Sequence, residues 1–262
     1  MPEHQIRFED GAAYERMMGV WSRLAGNVFL DWLAATPGLR WIDIGCGNGA
    51  FTELLCQRCA PAEVHGIDPS EAQLAFARTR TGARLAQFHR GDAMALPFPD
   101  DTFDTAVMAL VIFFVPDPAK GIAEMARVVA PGGLVETYAW DQTAGGTPQA
   151  PFLEELRAMG YRPPRPPSVE ASRMDALRVL WVEAGIEAIE TREIAVTRSF
   201  EDFDDFWSAS ATGPAIAPIL AAMSSGEIEQ LKSRLRQRLP PDGAGRIAYA
   251  GRANAVKGTM PR

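Results

Sequence analysis

Histidine is scarce in this chain: His4, His65 and His89 are the only three. His65 and His89 fall within strand-like runs, where a place in the sheet or on its surface outweighs a proton-carrying role. Cysteine is equally scarce. Cys46, Cys56 and Cys59 form an odd set in a chain without an export signal, which argues against a disulfide framework. Cys56 and Cys59 have the spacing of half a zinc site, but they lie in a helical pattern and no second Cys/His pair completes four ligands. They read as small helix residues, and no metal is expected. Positive charge is short as well. A net charge of −7 disfavours a sequence-independent grip on nucleic-acid backbone, which relies on many Lys and Arg contacts. The basic run from Lys232 to Arg238 (KSRLRQR) has the spacing of one solvated helix face rather than of a binding patch. No apolar run reaches bilayer length: the longest, Thr105 to Val115, is about half of the ~20 residues required, and the N-terminus lacks a basic-then-apolar leader. The expectation is a cytoplasmic protein without stable membrane insertion, partnered by a small molecule and not by nucleic acid.

What is present is the balance of a folded globular chain, 47% apolar and 23% charged. Its 262 residues suit one α/β domain with an added subdomain. Tyr14, Met17, Met18, Trp21, Leu24, Val28 and Leu33 recur at helical intervals until Pro37 and Gly38 stop the pattern. Trp41 to Gly45 then reads as a strand apolar on both faces, as a central parallel strand should be. Strand and helix alternate from there: a helix from about Ala50 to Cys59, a strand from Glu63 to Asp68, a helix from Ser70 to Arg80, and a third strand from Arg84 to His89. A fourth strand from Phe103 to Leu110, a helix from about Pro118 to Val129 and a fifth strand from Gly133 to Trp140 follow. That alternation predicts a parallel sheet with helices on both faces. Residues 141 to 169 are rich in Pro, Gly and Arg and read as an irregular crossing. A helix from about Ser172 to Ala184 and a strand from Ala188 to Thr197 come next. An insertion holds Phe200, Phe203, Phe206 and Trp207 on one helical face and a second helix from about Ser225 to Arg238. A last strand, Arg246 to Lys257, closes the chain.

Chemistry concentrates on the turn after the first strand, Asp43-Ile-Gly45-Cys46-Gly47-Asn48-Gly49. Glycine there permits positive φ and lets a ligand approach backbone that a Cβ would shield. The helix beyond it offers unpaired N–H groups to an anion. Two cofactor classes fit this turn equally. Gly45-x-Gly47-x-x-Ala50, with Asp68 some twenty-odd residues on, also satisfies the dinucleotide fingerprint, and both cofactors contain adenosine.

Motifs further along separate them. His65-Gly-Ile-Asp68-Pro69-Ser70 follows the second strand, and Arg90-Gly91-Asp92-Ala93 with Leu96-Pro-Phe-Pro-Asp-Asp-Thr-Phe-Asp104 follows the third. Ala130-Pro-Gly-Gly133 leads into the fifth. With Asp43 to Gly49, these four motifs, in this order, resemble the class I S-adenosylmethionine-dependent methyltransferases, in the branch (methyltransferase type 11) that includes ubiquinone and menaquinone methyltransferases. The resemblance implies a Rossmann-like seven-stranded α/β sheet of order 3-2-1-4-5-7-6 with the last strand antiparallel. It implies methyl transfer from S-adenosyl-L-methionine to a small acceptor, apolar or aromatic, leaving S-adenosyl-L-homocysteine, with O-, C- or N-methylation unresolved. An NAD(P)-dependent oxidoreductase is the rival reading, disfavoured by Asp92, the Pro131-Gly-Gly133 turn and the terminal hairpin. A non-catalytic S-adenosylmethionine-binding protein is the third.

Residue roles follow from the resemblance. Asp68 would accept from both ribose hydroxyls, as the acceptors of one carboxylate allow. Asp92 would accept from the adenine amino group while the Ala93 N–H meets a ring nitrogen, and Leu74 and Leu96 would sandwich the base. Carbonyls near Gly45 and Ala109 would take the cofactor's amino group, with Asp43 as compensating charge. Contacts extend to Gly47, Gly49, Cys46, Asn48, Pro69, Gly91, Leu110 and Phe114. The stretch from Tyr14 to Arg23 resembles an N-terminal helix that covers the cofactor, with Tyr14 and Trp21 against it and Arg23 pairing with its carboxylate.

Displacement at a sulfonium needs positioning and desolvation more than a dedicated catalytic side chain, although a neutral hydroxyl or carbon acid still needs a base. Where related enzymes often carry histidine after the fourth strand, this chain has Val111-Ile-Phe-Phe-Val115. The base is therefore unassigned, with Tyr14, Tyr138 and Asp141 as candidates. The expected division is a cap region at 1–38, a cofactor-binding core at 39–198 and 242–262, and a helical insertion at 199–241. That insertion reads equally as a lid, as the core of a small cap or as half of a homodimer interface.

Overall fold

The computed structural model describes residues 15–262. Tyr14 and His4 lie outside the described residues. Seven strands, β1 (Arg40–Ile44), β2 (Glu63–Asp68), β3 (Ala86–Arg90), β4 (Phe103–Ala109), β5 (Val129–Trp140), β6 (Glu187–Phe200) and β7 (Ile247–Thr259), form one sheet. Their order is β3-β2-β1-β4-β5-β7-β6. β1 runs parallel between β2 and β4, with Asp43 opposite Gly66 on one side and Val107 on the other. β7 runs antiparallel to both β5 and β6. The α/β class and strand order are those the resemblance implies.

β1 lies inside the sheet, and Trp41, Ile42 and Ile44 are all buried and fill both of its faces. Asp43 is buried among them, and an ionisable group in such a strand calls for a partner or a purpose. Helices cover the sheet: α1 (Val20–Leu33), α2 (Ala50–Cys59), α3 (Glu71–Ala77), α4 (Pro118–Val128), α5 (Ala150–Ala158) and α6 (Met174–Glu183). α1 buries Trp21, Ala25, Phe29 and Leu33, a four-residue repeat down one face. A single π-helical turn, Glu15–Gly19, leads into it. Two helix starts are fixed by side chains. Ser70 accepts from the Gln73 N–H at the head of α3, and Asp117 accepts from the Lys120 N–H ahead of Pro118 in α4.

The irregular crossing expected for residues 141 to 169 contains a helix, α5. Pro151 stands in its first turn, where proline starts a helix rather than breaking it, and Phe152, Leu153 and Leu156 are buried beneath. Between β6 and β7 stand α7 (Phe203–Ser210), α8 (Ala217–Ala222) and α9 (Ser225–Arg238). Their aromatics face α5. Phe206 lies 5.8 Å from Phe152 and 5.5 Å from Phe200, and Trp207 lies 5.1 Å from Phe152. The basic run is only partly a solvated face. Arg234 and Arg238 both pair with Glu155 on α5, clamping α9 to it. α7 and α9 thus pack together with α5 as one helical unit.

Candidate active site

The carboxyl ends of β1 to β5 converge on the glycine turn, where ligands of open α/β sheets bind. Its three glycines serve different ends. Gly45 and Gly49 have φ of 75° and 76°, and added Cβ atoms would lie 2.5 Å from the Val111 side chain and 2.9 Å from Ala77. Close packing demands them. At Gly47, φ 51°, a Cβ would meet nothing nearer than 4.0 Å, so its backbone stays open to a ligand.

Two carboxylates frame this turn. The Gly47 N–H donates to Asp68 Oδ2 at 2.9 Å and the Ser70 N–H to Oδ1 at 2.8 Å, fixing the carboxylate at the tip of β2 while each oxygen keeps acceptor capacity. Burial raises the Asp68 pKa, and the two N–H groups oppose the rise. Asp43 lies deeper. Its Oδ2 accepts from Thr52 Oγ1 at 2.6 Å, while Oδ1 has no hydrogen-bond partner among the described residues. Burial pushes its carboxyl up to about 7, against the Thr52 hydrogen bond and with help from the Asp68 charge. An orphaned acceptor of this kind suits a cationic group.

At the end of β3, exposed Asp92 accepts from the Met94 N–H at 2.8 Å, with half-buried Ala93 between them. A Cβ on Gly91 would overlap Ile67. Leu74 and Leu96 are buried, as are Cys46 and Asn48, and Pro69 is exposed. Asn48 Oδ1 accepts from the Ala50 N–H at 3.2 Å at the head of α2.

A second space opens where β4 and β5 end. Leu110 takes a left-handed φ of 64°, a strained conformation for a branched side chain, and donates its N–H to the Tyr138 carbonyl at 2.8 Å. The chain then turns through Val111, which packs on Gly45. Leu110, Phe113, Phe114 and Trp140 wall one side of a cavity of about 560 Å³, its open mouth included. Met17, Met18, Pro214 and Ala215 close it from the N-terminal turn and the cap. The polar side chains on its walls are those of Gln142, Thr147 and Gln149, and no acid, base or imidazole among the described residues lines it. The glycine turn is thus polar and carboxylate-framed, whereas the chamber is mainly apolar, and Val111 on Gly45 is the chain neighbour of the lining Leu110.

Residues 42–136 match the family model described as a methyltransferase domain. In this segment the chain is similar to methyltransferase domains. The 2-phytyl-1,4-naphtoquinone methyltransferase of Synechococcus elongatus is 37% identical over 118 residues, covering 43% of this chain and 49% of that protein. The chain spans about half the length of the curated relatives it matches. In fold, the YcgJ protein of Bacillus subtilis matches 91% of this chain and 98% of its own, with a TM-score of 0.62 and 18% identity. Phosphoethanolamine N-methyltransferase 2 of Haemonchus contortus, solved with S-adenosyl-L-methionine, matches 96% of this chain and 56% of its own, with a TM-score of 0.60 and 19% identity. The residues of the matched segment fit that cofactor: the open Gly47 backbone, the fixed Asp68 carboxylate and the partnerless Asp43 oxygen suit a ribose diol and a cationic group.

Several expected positions around the matched segment fall elsewhere. Tyr138 does not face the chamber. β5 ends at Trp140, so Tyr138 stands one pleat further in, fully buried, with its ring 4.6 Å from Phe29 and 5.7 Å from Phe51 beneath α1 and α2. Asp141 closes a turn. Its Oδ1 accepts from the Thr143 N–H and hydroxyl and from the Ala144 N–H, which gives it a structural role in the turn. Trp21 is buried, edge-on to Trp140 at 6.4 Å and tilted on Tyr249 at 5.1 Å, so it supports the chamber wall from behind. Ala109 and Phe114 are half-buried on the approach to it.

Arg23 is paired with Glu15 at 2.5 Å. The same carboxylate takes Arg80 at 2.5 Å and the Asn48 side-chain amide at 3.2 Å, so a carboxylate of the chain itself leans on the glycine turn. Burial raises the Glu15 pKa, yet Arg80 and Arg23 together hold it below the ordinary glutamate range. Glu15, Thr52, Gln142, Thr147 and Gln149 were not singled out from sequence. Gln142 to Gln149 lie in a Pro/Gly-rich stretch without periodicity, and isolated amides there carry no motif. Thr52 had a signal: a hydroxyl in the first turn of α2, within reach of a strand carboxylate.

Proposed function

We propose that this chain transfers a methyl group from S-adenosylmethionine to a small apolar or aromatic acceptor. The observation that carries the reading is the nearness of a carboxylate-framed glycine turn to an apolar chamber: Val111, which packs on Gly45, is the chain neighbour of the chamber residue Leu110. Fold alone leaves activity open.

In this reading Asp68 accepts from the ribose hydroxyls with its remaining lone pairs, Asp92 accepts from the adenine amino group, and the Ala93 N–H meets a ring nitrogen. Leu74 and Leu96 flank the base. Backbone carbonyls at Gly45 and Ala109 receive the amino group, and Asp43 balances its charge. Arg23, released from Glu15, meets the carboxylate. When bound, the cofactor supplies a methyl group activated by a sulfonium. Phe113, Phe114, Trp140 and the two methionines exclude water from that methyl and hold an apolar acceptor in line with it, which supports displacement by orientation and desolvation. The cap of α5 and α7–α9 acts as the chamber's roof, and with a net charge of −7 the partner is a small molecule and not nucleic acid.

The test is a thermal-shift panel. A ligand at a hundred times its dissociation constant stabilises by about 2.7 kcal/mol. A rise is expected with S-adenosylmethionine or S-adenosylhomocysteine and none with NAD or NADP; the reverse pattern overturns the reading. Asp68→Ala is expected to remove most of the shift, and an unchanged shift places the ribose elsewhere.

A further inference from the structure

Two of the three histidines face one another near the edge of the sheet. His65 on β2 and His89 on the edge strand β3 have rings parallel within 4° and centroids 4.9 Å apart. His65 Nδ1 lies 2.9 Å from His89 Nε2, and His65 Nε2 lies 2.8 Å from Glu63 Oε1. The carboxylate only accepts, so the His65 proton belongs on Nε2. That leaves His65 Nδ1 bare, to accept from the His89 Nε2–H. Every contact in this chain of three is satisfied with both rings neutral.

The pair holds both ends of the loop that carries Asp92 and Ala93. His89 stands three residues before Asp92. Where the loop returns, Phe98 sets its ring edge-on to both imidazoles, 5.4 Å from His65 and 5.3 Å from His89, and Phe103 backs it at 5.1 Å. From α4, Glu124 accepts from the Leu96 N–H at 2.7 Å and Arg127 donates to the Phe98 carbonyl at 2.8 Å, so the returning limb has a second anchor. The outgoing limb has the Gly91 N–H on the Asp68 carbonyl at 3.2 Å, a long bond, which leaves His89 as its main side-chain hold.

The surrounding charges keep the pair neutral. Glu63 is the anion in contact with it. Arg78, just past α3, donates to the Phe88 carbonyl beside His89. Asp104 on β4 is taken by Arg40, and Glu124 and Asp100 by Arg127. Arg90 follows on the opposite pleat. Burial, the neighbouring His65 and the Arg78 charge hold the His89 pKa below the ordinary histidine range. A proton added at His65 Nδ1 would set two N–H donors against each other, and one added at His89 Nδ1 would bury a second cation near Arg78.

Resting on the methyl-transfer reading, we propose that His65 and His89 are positioning residues for the cofactor's adenine: the neutral pair grips the Asp92 loop by both ends, and acid loosens that grip. Affinity for the cofactor then follows the fraction of protein whose pair is neutral. By reciprocity, bound cofactor makes the pair harder to protonate.

Imidazole NMR and calorimetry test this together. With three histidines in the chain, each ring signal is assigned by its loss in a single variant. At pH 8 both rings are expected neutral with the proton on Nε2, and saturation with S-adenosylhomocysteine is expected to move the His89 titration to lower pH. Below that titration, the wild-type Kd for S-adenosylhomocysteine is expected to weaken about tenfold per pH unit relative to His89→Gln, whose amide donates to His65 without titrating. Asp43 and Asp68 titrate in both proteins and cancel in the ratio. At pH 8 the glutamine variant is expected to bind as wild type does, and His89→Leu, which lacks the donor, about fivefold more weakly. A proton on His65 Nδ1 at pH 8, a His89 titration that the ligand leaves in place, or a glutamine variant as acid-sensitive as wild type overturns the proposal. The wild-type titration decides the matter even where the leucine variant fails to fold. Failure of wild type to bind S-adenosylhomocysteine at pH 8 overturns instead the reading beneath it.

Discussion

Replacing Glu136 with glutamine should make the protein more resistant to mild alkali. Glu136 lies fully buried in β5, with Oε1 accepting from Thr105 Oγ1 at 3.2 Å and Oε2 without a hydrogen-bond partner among the described residues. Burial pushes its carboxyl from the ordinary 4.5 up to about 8, against the Thr105 hydrogen bond and the Lys257 charge. The folded chain therefore holds a proton that the unfolded chain has released between these values. Stability from this group is fully present below pH 4.5 and is lost as pH rises through about 8. The gap of about 3.5 pH units (8 − 4.5) corresponds to at most ~5 kcal/mol at ~1.36 kcal/mol per unit. That is comparable to the whole stability of many domains. Glutamine keeps the shape and the Thr105 contact but does not titrate. Urea unfolding at pH 5, 6, 7 and 8 should show wild type losing several kcal/mol relative to Glu136→Gln as pH rises. Asp43, raised to about 7, acts in the same direction and should leave the variant a shallower slope of the same sign. Parallel curves for the two proteins would refute a buried, protonated Glu136.

Two further outcomes follow from the glycine turn and its neighbour. Gly45→Ala should destabilise by about 2–4 kcal/mol, because it forces a Cβ into left-handed backbone and against Val111. Val111→Ala in the same chain should return part of that loss, the overlap but not the backbone strain; urea midpoints measure both, and a Gly45→Ala variant as stable as wild type contradicts the packing. Glu15→Gln should tighten S-adenosylmethionine binding roughly two- to fivefold by freeing Arg23 from a half-exposed pair, as read by calorimetry. Weaker binding would show that Glu15 organises the turn instead of competing for Arg23.

The sheet was legible because its strands are short apolar runs between helical patterns, and Asp68 and Asp92 were legible because they stand where such strands end. α5 was hidden by its own start. Pro151 and the prolines and glycines on either side dominate the stretch, although Phe152, Leu153 and Leu156 have helical spacing. Tyr138 was misplaced by one pleat. Period-two alternation puts Glu136, Tyr138 and Trp140 on one face, but only the last reaches past the helices to the chamber, and where a strand ends is set by tertiary packing. The chamber's amides come from a segment without periodicity, brought beside Leu110 and the N-terminal turn by chain separations of tens to more than a hundred residues. Such convergence leaves no trace in local sequence.

Methyl transfer is measured directly by incubation with S-adenosylmethionine carrying an isotopically labelled methyl group together with a small-molecule metabolite extract. The expected result is label in an apolar product with wild type and none with Asp68→Ala. Tight S-adenosylmethionine binding with no label leaving the cofactor would contradict it.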